Sequence, residues 1–396
     1  MNTKPLIEAW LPDLIAWRHD FHAHPETAFE EVRTAARVAE LLQSFGIDVH
    51  TGIGRTGVVG VLRSGTSRRC IGLRADMDAL CVHEANAFSH RSQHDGRMHA
   101  CGHDGHTAML LGAARYLAET RHFDGTVNFI FQPAEENEGG GREMLEDGLF
   151  ERFPCDAVYG LHNWPGMAVG HFGIMPGPMM ASYDIFEITV KGRGAHAAMP
   201  HNGIDPVTLA ASVVHELQTI ASRNVPPVDA AVVSVTQIHG GDTWNVISPE
   251  VVLRGTTRAF KPEVQDLIEQ RMRQICQGLA TAHQAEIALR YERRYPPTVN
   301  SVAEAGIATK VMRQVAGGEN VHTDLQPTMG AEDFAFLLQK RPGAYGWIGN
   351  GPGVTGCLLH NPNYDFNDDI LPLGVAYWAA LAQEKLNLPT DATSSL

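Results

Sequence analysis

The stretch "GTVNFIFQPAEENEGGG", residues 125–141, decides the fold class. Its first half is apolar with almost no polar face, as a strand buried on both sides must be, and such strands belong to largely parallel sheets covered by helices. Two adjacent acids, Glu135 and Glu136, follow the strand and precede three glycines. Open α/β sheets bind their ligands beyond the carboxyl ends of the strands. The polar half of the stretch therefore marks the rim of a candidate site.

Other stretches share that location. "RADMDAL" (74–80), "HACGHDGH" (99–106), "LHNWP" (161–165) and "LHNPNYDFND" (359–368) are polar, and each sits just past a predicted buried strand. Their common place is stronger evidence than any one of them. Residues 5–24 and 28–45 read as amphipathic helices broken at "HPET", and 107–120 as a further helix, giving strand–helix alternation. From residue 183 the pattern changes to β-α-β-β-α-β, the ferredoxin-like split motif, before alternation resumes after Pro296 and Pro297. The expectation is an α/β protein. Residues 1–182 and 297–396 form one discontinuous domain with a mostly parallel mixed sheet flanked by helices, and 183–296 form an inserted domain.

Bulk properties agree. A chain of 396 residues exceeds a comfortable single core. Lys and Arg number 31 against 45 Asp and Glu, for a net charge of −14, which disfavours nucleic acid and anionic membranes as partners. The six cysteines are scattered without a CxxC pair, against both a disulfide framework and a zinc knuckle. With no secretory leader and no long apolar run, the chain is expected to be cytoplasmic, ending in a solvated tail, "LPTDATSSL".

The chemistry lies in the acids and the soft ligands. Asp76 and Asp78 flank one residue and would face the same way on a strand. Glu135 and Glu136 would point apart, so one can bind a metal while the other stays free. A metallohydrolase needs that division, because a metal acidifies water and a nearby carboxylate takes its proton. Alone, such a pair is more often a solvated strand end. Cys101 and His103 can reach one centre across Gly102, and His162 and His360 each follow Leu and precede Asn. Lone histidines are mostly packing residues, but this set offers donors for one or two ions, with its carboxylates favouring Zn or Mn. His99 and His106 are expected in supporting roles. A Cys101 nucleophile with His103 or His106 as base is the competing enzyme reading, although it leaves the paired acids without a use.

Taken together, the motifs resemble the amidohydrolase branch of the M20 metallopeptidase family, which includes hippurate hydrolases and N-acyl- or indoleacetyl-amino-acid hydrolases. They run from "HAHPETAFEE" through "RADMDAL", "MHACGHDGHTA", "QPAEENEGG", "LHNWP", "GRGAHAAMPH", "GDTWNVI", "RGTTRAF" and "MGAEDFAFL" to "LHNPNYDFND". The resemblance implies a zinc-exopeptidase-like catalytic domain and a ferredoxin-like lid that dimerises the chain. Two divalent ions would be held by Cys101, His103, Glu136, His162 and His360, with Cys101 as the bridge. Mn or Zn is expected, with Co or Ni as substitutes. Glu135 would be the general base and Asp78 would orient a ligand, while Asp76 takes the place of a histidine ligand of other branches. In the lid, the resemblance assigns the oxyanion to His196, the substrate carboxylate to Asn245, Arg258 and Arg254, and the pocket floor to Gly330 and Glu332. An exposed strand face is the plain alternative for both arginines. Cys81 and Ser248 stand where the branch commonly has Pro, which bears on substrate preference. The implied activity is hydrolysis of N-acyl (aroyl, arylacetyl or acetyl) amino acids. A dipeptidase or biosynthetic deacetylase is the alternative within the family, and a non-catalytic amino-acid- or metal-binding relative the alternative outside it.

Overall fold

A computed structural model describes residues 4–352 and 356–388. The solvated tail expected over 388–396 lies, from residue 389 onward, outside them.

After a short helix (Lys4–Ala9) come α1 (Leu11–Ala23) and α2 (Val32–Ser44). Strands β1 (Asp48–Ile53), β2 (Gly57–Ser64) and β3 (Cys70–Asp76) lead to the long α3 (His103–Thr120). Then follow β4 (Gly125–Gln132), α4 (Gly140–Glu146), β5 (Ala157–Trp164) and β6 (Phe172–Gly173). The inserted segment runs β7 (Tyr183–Lys191), α5 (Pro206–Thr219), β8 (Ala231–His239), β9 (Glu250–Ala259), α6 (Pro262–His283) and β10 (Glu286–Tyr295). The chain finishes with α7 (Val302–Ala316), β11 (Val321–His322), α8 (Ala335–Lys340), β12 (Gly343–Gly349) and α9 (Leu371–Lys385). Among the described residues no helix is long and apolar enough to cross a membrane.

Two compact units result. Met1–Gly177, Val299–Gln326 and Asp333–Leu396 form the first; Pro178–Thr298 and Pro327–Glu332 form the second. The first holds an eight-stranded mixed sheet in the order β1-β2-β4-β3-β5-β12-β6-β11. Its centre, β4-β3-β5-β12, is parallel, so these strands end at one edge, with Asp76 in register with Gln132. On β4, Val127, Phe129, Ile130 and Phe131 are all fully buried. This is the two-sided burial that the apolar run requires.

The second unit holds a four-stranded antiparallel sheet in the order β8-β9-β7-β10. Phe186, Ile188 and Val190 alternate inward from β7 and pack with Leu209, Val213, Ile268 and Met272 of α5 and α6. This is the expected β-α-β-β-α-β order. Its extent differs from 183–296, because a later segment joins it. Ala181 N donates to the carbonyls of Thr328 (3.1 Å) and Gly330 (2.9 Å), and Thr328 N donates to Met179 O (3.0 Å). No local pattern signals such an excursion.

A second difference concerns α2, which starts at Val32 rather than 28. The Glu26 carboxylate accepts the amides of Arg33 (3.0 Å) and Thr34 (2.7 Å), satisfying the free donors of a first turn placed later than the helical pattern suggests.

Candidate metal centre

The parallel strand ends bring together residues distant in sequence. Asp78 follows β3, Glu135 and Glu136 follow β4, and His162 sits near the end of β5. Cys101 and His103 lie at the start of α3, separated by Gly102 at φ +92°. A side chain there would also be unfavourable, since a Cβ would come within 2.4 Å of Asn163 Oδ1. His360 lies in the segment after β12, with its own φ at +65°.

Donor atoms of Cys101, His103 and His162 lie within 4.8 Å of one another, and so do those of Cys101, Glu136 and His360. Cys101 belongs to both sets. His162 Nε2 is 3.4 Å from Cys101 Sγ, and its Nδ1–H donates to the Asn163 carbonyl at 2.6 Å. That tautomer leaves Nε2 with a lone pair facing the thiol. Burial, with His106 behind it, holds the His162 pKa well below the usual range, so the ring is neutral. His360 Nε2 lies 3.1 Å from Glu136 Oε1.

Asp78 fastens two of these groups, taking His103 Nδ1 at 3.2 Å with Oδ1 and accepting the Glu136 amide at 2.9 Å with Oδ2. His103 Nε2 is buried without a hydrogen-bond partner. Orphaned buried polar atoms are rare, and this one fits a divalent cation. Electrostatics agree. Burial opposes protonation of His103, yet Asp76, Asp78 and Glu136 outweigh it and raise the pKa to about 10. The site has a negative potential that calls for positive charge.

The same field bears on Cys101 as a nucleophile. Burial, then Glu136, Glu135 and Asp76, push its thiol well above the ordinary range. Reactive cysteines have the opposite surroundings. A thiolate here needs a metal to sustain it.

Asp76 and His106 form a further set with His103, with donor atoms within 4.8 Å of one another, but both are also engaged by other side chains. Asp76 takes Arg74 Nη1 at 2.8 Å and His106 Nδ1 at 2.6 Å, while His106 Nε2 lies 2.6 Å from Asn163 Oδ1. His99 is fully buried, and neither ring nitrogen has a hydrogen-bond partner. Sequence reasoning missed Asp333, which accepts from Arg74 (2.9 Å), Gln132 (2.7 Å) and Gly141 N (2.8 Å) and donates its amide to Glu135 Oε1 at 3.4 Å. Arg74, a charge inside the apolar strand "CIGLRAD", was the available signal, because a buried charge must find partners.

In the second unit a short ribbon pairs His196 with Val246, and Ala197 N donates to the Asn245 carbonyl at 2.9 Å. His196 and Asn245 are thus neighbours and both exposed. Arg254 and Arg258 share one face of β9. Arg254 pairs with Glu187 at 2.7 Å, and Arg258 lies over the Tyr183 ring at 4.4 Å. Gly330 is exposed and Glu332 is buried.

The sequence model described as Peptidase family M20/M25/M40 matches residues 72–384, a span that contains every donor above. The chain belongs to this family. Among M20 relatives, the hippurate hydrolase of Campylobacter jejuni is 42% identical over 386 residues, covering 98% of this chain and 100% of that one. The N-acetylcysteine deacetylase of Bacillus subtilis is 37% identical over 372 residues, covering 93% and 96%. Among solved structures, the Bacillus subtilis YXEP protein, a dinuclear metal binding peptidase from the M20 family, superposes with a TM-score of 0.83 at 34% identity, covering 96% and 99%.

Proposed function

We propose that this M20 protein is a two-metal amidohydrolase that splits N-acyl amino acids into a carboxylic acid and a free amino acid. The observation that carries this reading is the placement of buried Cys101 in two overlapping donor sets, with Glu135 beside them. Cys101, His103 and His162, and Cys101, Glu136 and His360, would hold the ions, Mn or Zn with Co or Ni as substitutes, with Cys101 bridging. Such ions, when bound, acidify water and polarise a carbonyl.

The rest falls to the chain's own groups. Glu135 takes the proton of the attacking water and later delivers it to the leaving amine nitrogen. Asp78 keeps His103 oriented. His196 steadies the oxyanion. Asn245 and Arg258 hold the substrate carboxylate, with Arg254 behind them because Glu187 already engages it. Gly330 and Glu332 shape the pocket floor. The acyl group is aroyl, arylacetyl or acetyl, a range supported by the hippurate hydrolase and N-acetylcysteine deacetylase relatives. A homodimer formed through the second unit, and a cytoplasmic location, complete the proposal.

The test is a substrate screen with metal-stripped, Mn-loaded and Zn-loaded protein on hippurate, N-acetyl amino acids and dipeptides. Metal-dependent cleavage of the acylated amino acids is expected. Activity that survives stripping would favour a thiol hydrolase. Cleavage of dipeptides alone would make the protein a dipeptidase.

A further inference from the structure

The loop that presents Glu135 and Glu136 hangs by its backbone amides from three buried carboxylates. Glu136 N–H donates to Asp78 Oδ2 at 2.9 Å, Gly141 N–H to Asp333 Oδ2 at 2.8 Å, and Ala134 N–H to Glu31 Oε1 at 2.9 Å. Glu31 is fully buried and comes from the turn before α2, far away in sequence. Its other oxygen accepts the Thr56 hydroxyl at 2.6 Å. Burial, with the Asp78 charge behind it, pushes the Glu31 carboxyl up to about 7. A buried acid so far from its ordinary state is costly to keep, and nothing in the proposed chemistry uses it.

Its partner explains why it is there. Ala134 has φ +52°, in the left-handed region that L residues other than glycine seldom occupy. On the other side of the turn, the Ala134 carbonyl accepts Gly140 N–H at 2.9 Å. Gly140 lies so close that a Cβ would fall 1.7 Å from the Pro133 carbonyl oxygen. The left-handed residue turns the chain out of β4 immediately before the two glutamates, and Asp333 N–H then meets Glu135 Oε1 at 3.4 Å.

We infer that Glu31 is a positioning residue for hydrolysis. By accepting the Ala134 N–H, it holds the left-handed turn and so fixes the Glu135 carboxylate relative to Glu136. The inference rests on the reading of Glu135 as base. Misplacing a reacting group by about 1 Å can cost about a hundredfold in rate, so the clamp acts on kcat rather than on substrate affinity.

The test compares Glu31→Met, which fills the space without an acceptor, with Glu31→Gln, which keeps an oxygen for Ala134 and an amide for Thr56. Two readouts are taken on the metal-loaded protein: amide hydrogen exchange of the peptide covering 133–140, and kcat and KM on an N-acyl amino acid. In Glu31→Met, exchange in that peptide should accelerate at least tenfold and kcat should fall about 10- to 100-fold, with KM within about threefold. Glu31→Gln should retain at least about a third of wild-type kcat and near-native exchange. Adding Ala134→Gly to Glu31→Met should recover kcat about threefold or more, because glycine adopts the left-handed conformation without the clamp. Unchanged exchange and kcat in Glu31→Met would overturn the inference, and so would equal losses in the Met and Gln variants. If Glu31→Met does not fold, Thr56→Val, which removes the carboxylate's other partner, should still speed exchange; native exchange there would count against the clamp. If Glu135 proved not to be the base, the kcat arm would fail while the exchange arm stood, so the two readings fail separately.

Discussion

Asp78 and His103 are coupled through a single contact, Oδ1 to Nδ1 at 3.2 Å, which turns the imidazole so that its buried Nε2 has no hydrogen-bond partner and faces the Asp76 carboxylate at 3.7 Å. The other oxygen of the same carboxylate holds the Glu136 amide. One acid thereby orients donors from both sets.

Asp78→Asn should therefore weaken metal binding before it harms the fold. Loss of such an orienting carboxylate typically costs about 10- to 100-fold in metal affinity. Competition with a chromophoric chelator would measure it, alongside thermal unfolding. An affinity equal to wild type would remove Asp78 from this role.

Cys101 belongs to both donor sets, whereas His162 belongs to one. Elemental analysis should therefore find less than about one ion per chain in Cys101→Ala and about one in His162→Ala. Equal stoichiometry in the two variants would contradict a bridging thiolate.

Glu135→Gln should keep its metal and lose most of its turnover, by at least about a hundredfold. Metal content and kcat measured on the same preparation decide it. Wild-type-like turnover would exclude Glu135 as the base.

His22 gives a pH signature. It is buried between Asp104 Oδ2 (2.8 Å) and Glu84 Oε1 (3.1 Å). Burial works against its charge, but the two carboxylates outweigh it and raise its pKa to about 9, from 6.5. The folded chain thus keeps a proton that the unfolded chain has already lost. The stabilisation is full below about pH 6.5 and fades as the pH climbs through 9, on the order of 3 kcal/mol at most. Denaturant unfolding of the metal-loaded protein at pH 6 and pH 9.5 should show a loss that shrinks in His22→Gln. An identical loss in both proteins would assign the effect to other groups.

Local physics made much of this molecule legible in its sequence. Two-sided apolar runs such as 127–131 can lie only inside a covered sheet, and one-sided alternation along 183–191 can lie only on a sheet with a single packed face. Polar stretches at the ends of parallel strands then had to share an edge, which gathers the acids, Cys101 and the histidines at one rim.

Tertiary structure alone decided what depends on partners distant along the chain. Glu31 and Asp333 carry no local mark of their roles, because no periodicity records that an amide from another strand end will meet them. The start of α2 moved to Val32 for the same reason, since a cap from the Glu26 side chain outweighs helical patterning. The recruitment of Pro327–Glu332 into the second unit likewise depends on hydrogen bonds to residues 179–181. Burial and alternation are written residue by residue, whereas the conformation of Ala134 and the orphaned nitrogen of His103 exist only once the strands have assembled around them.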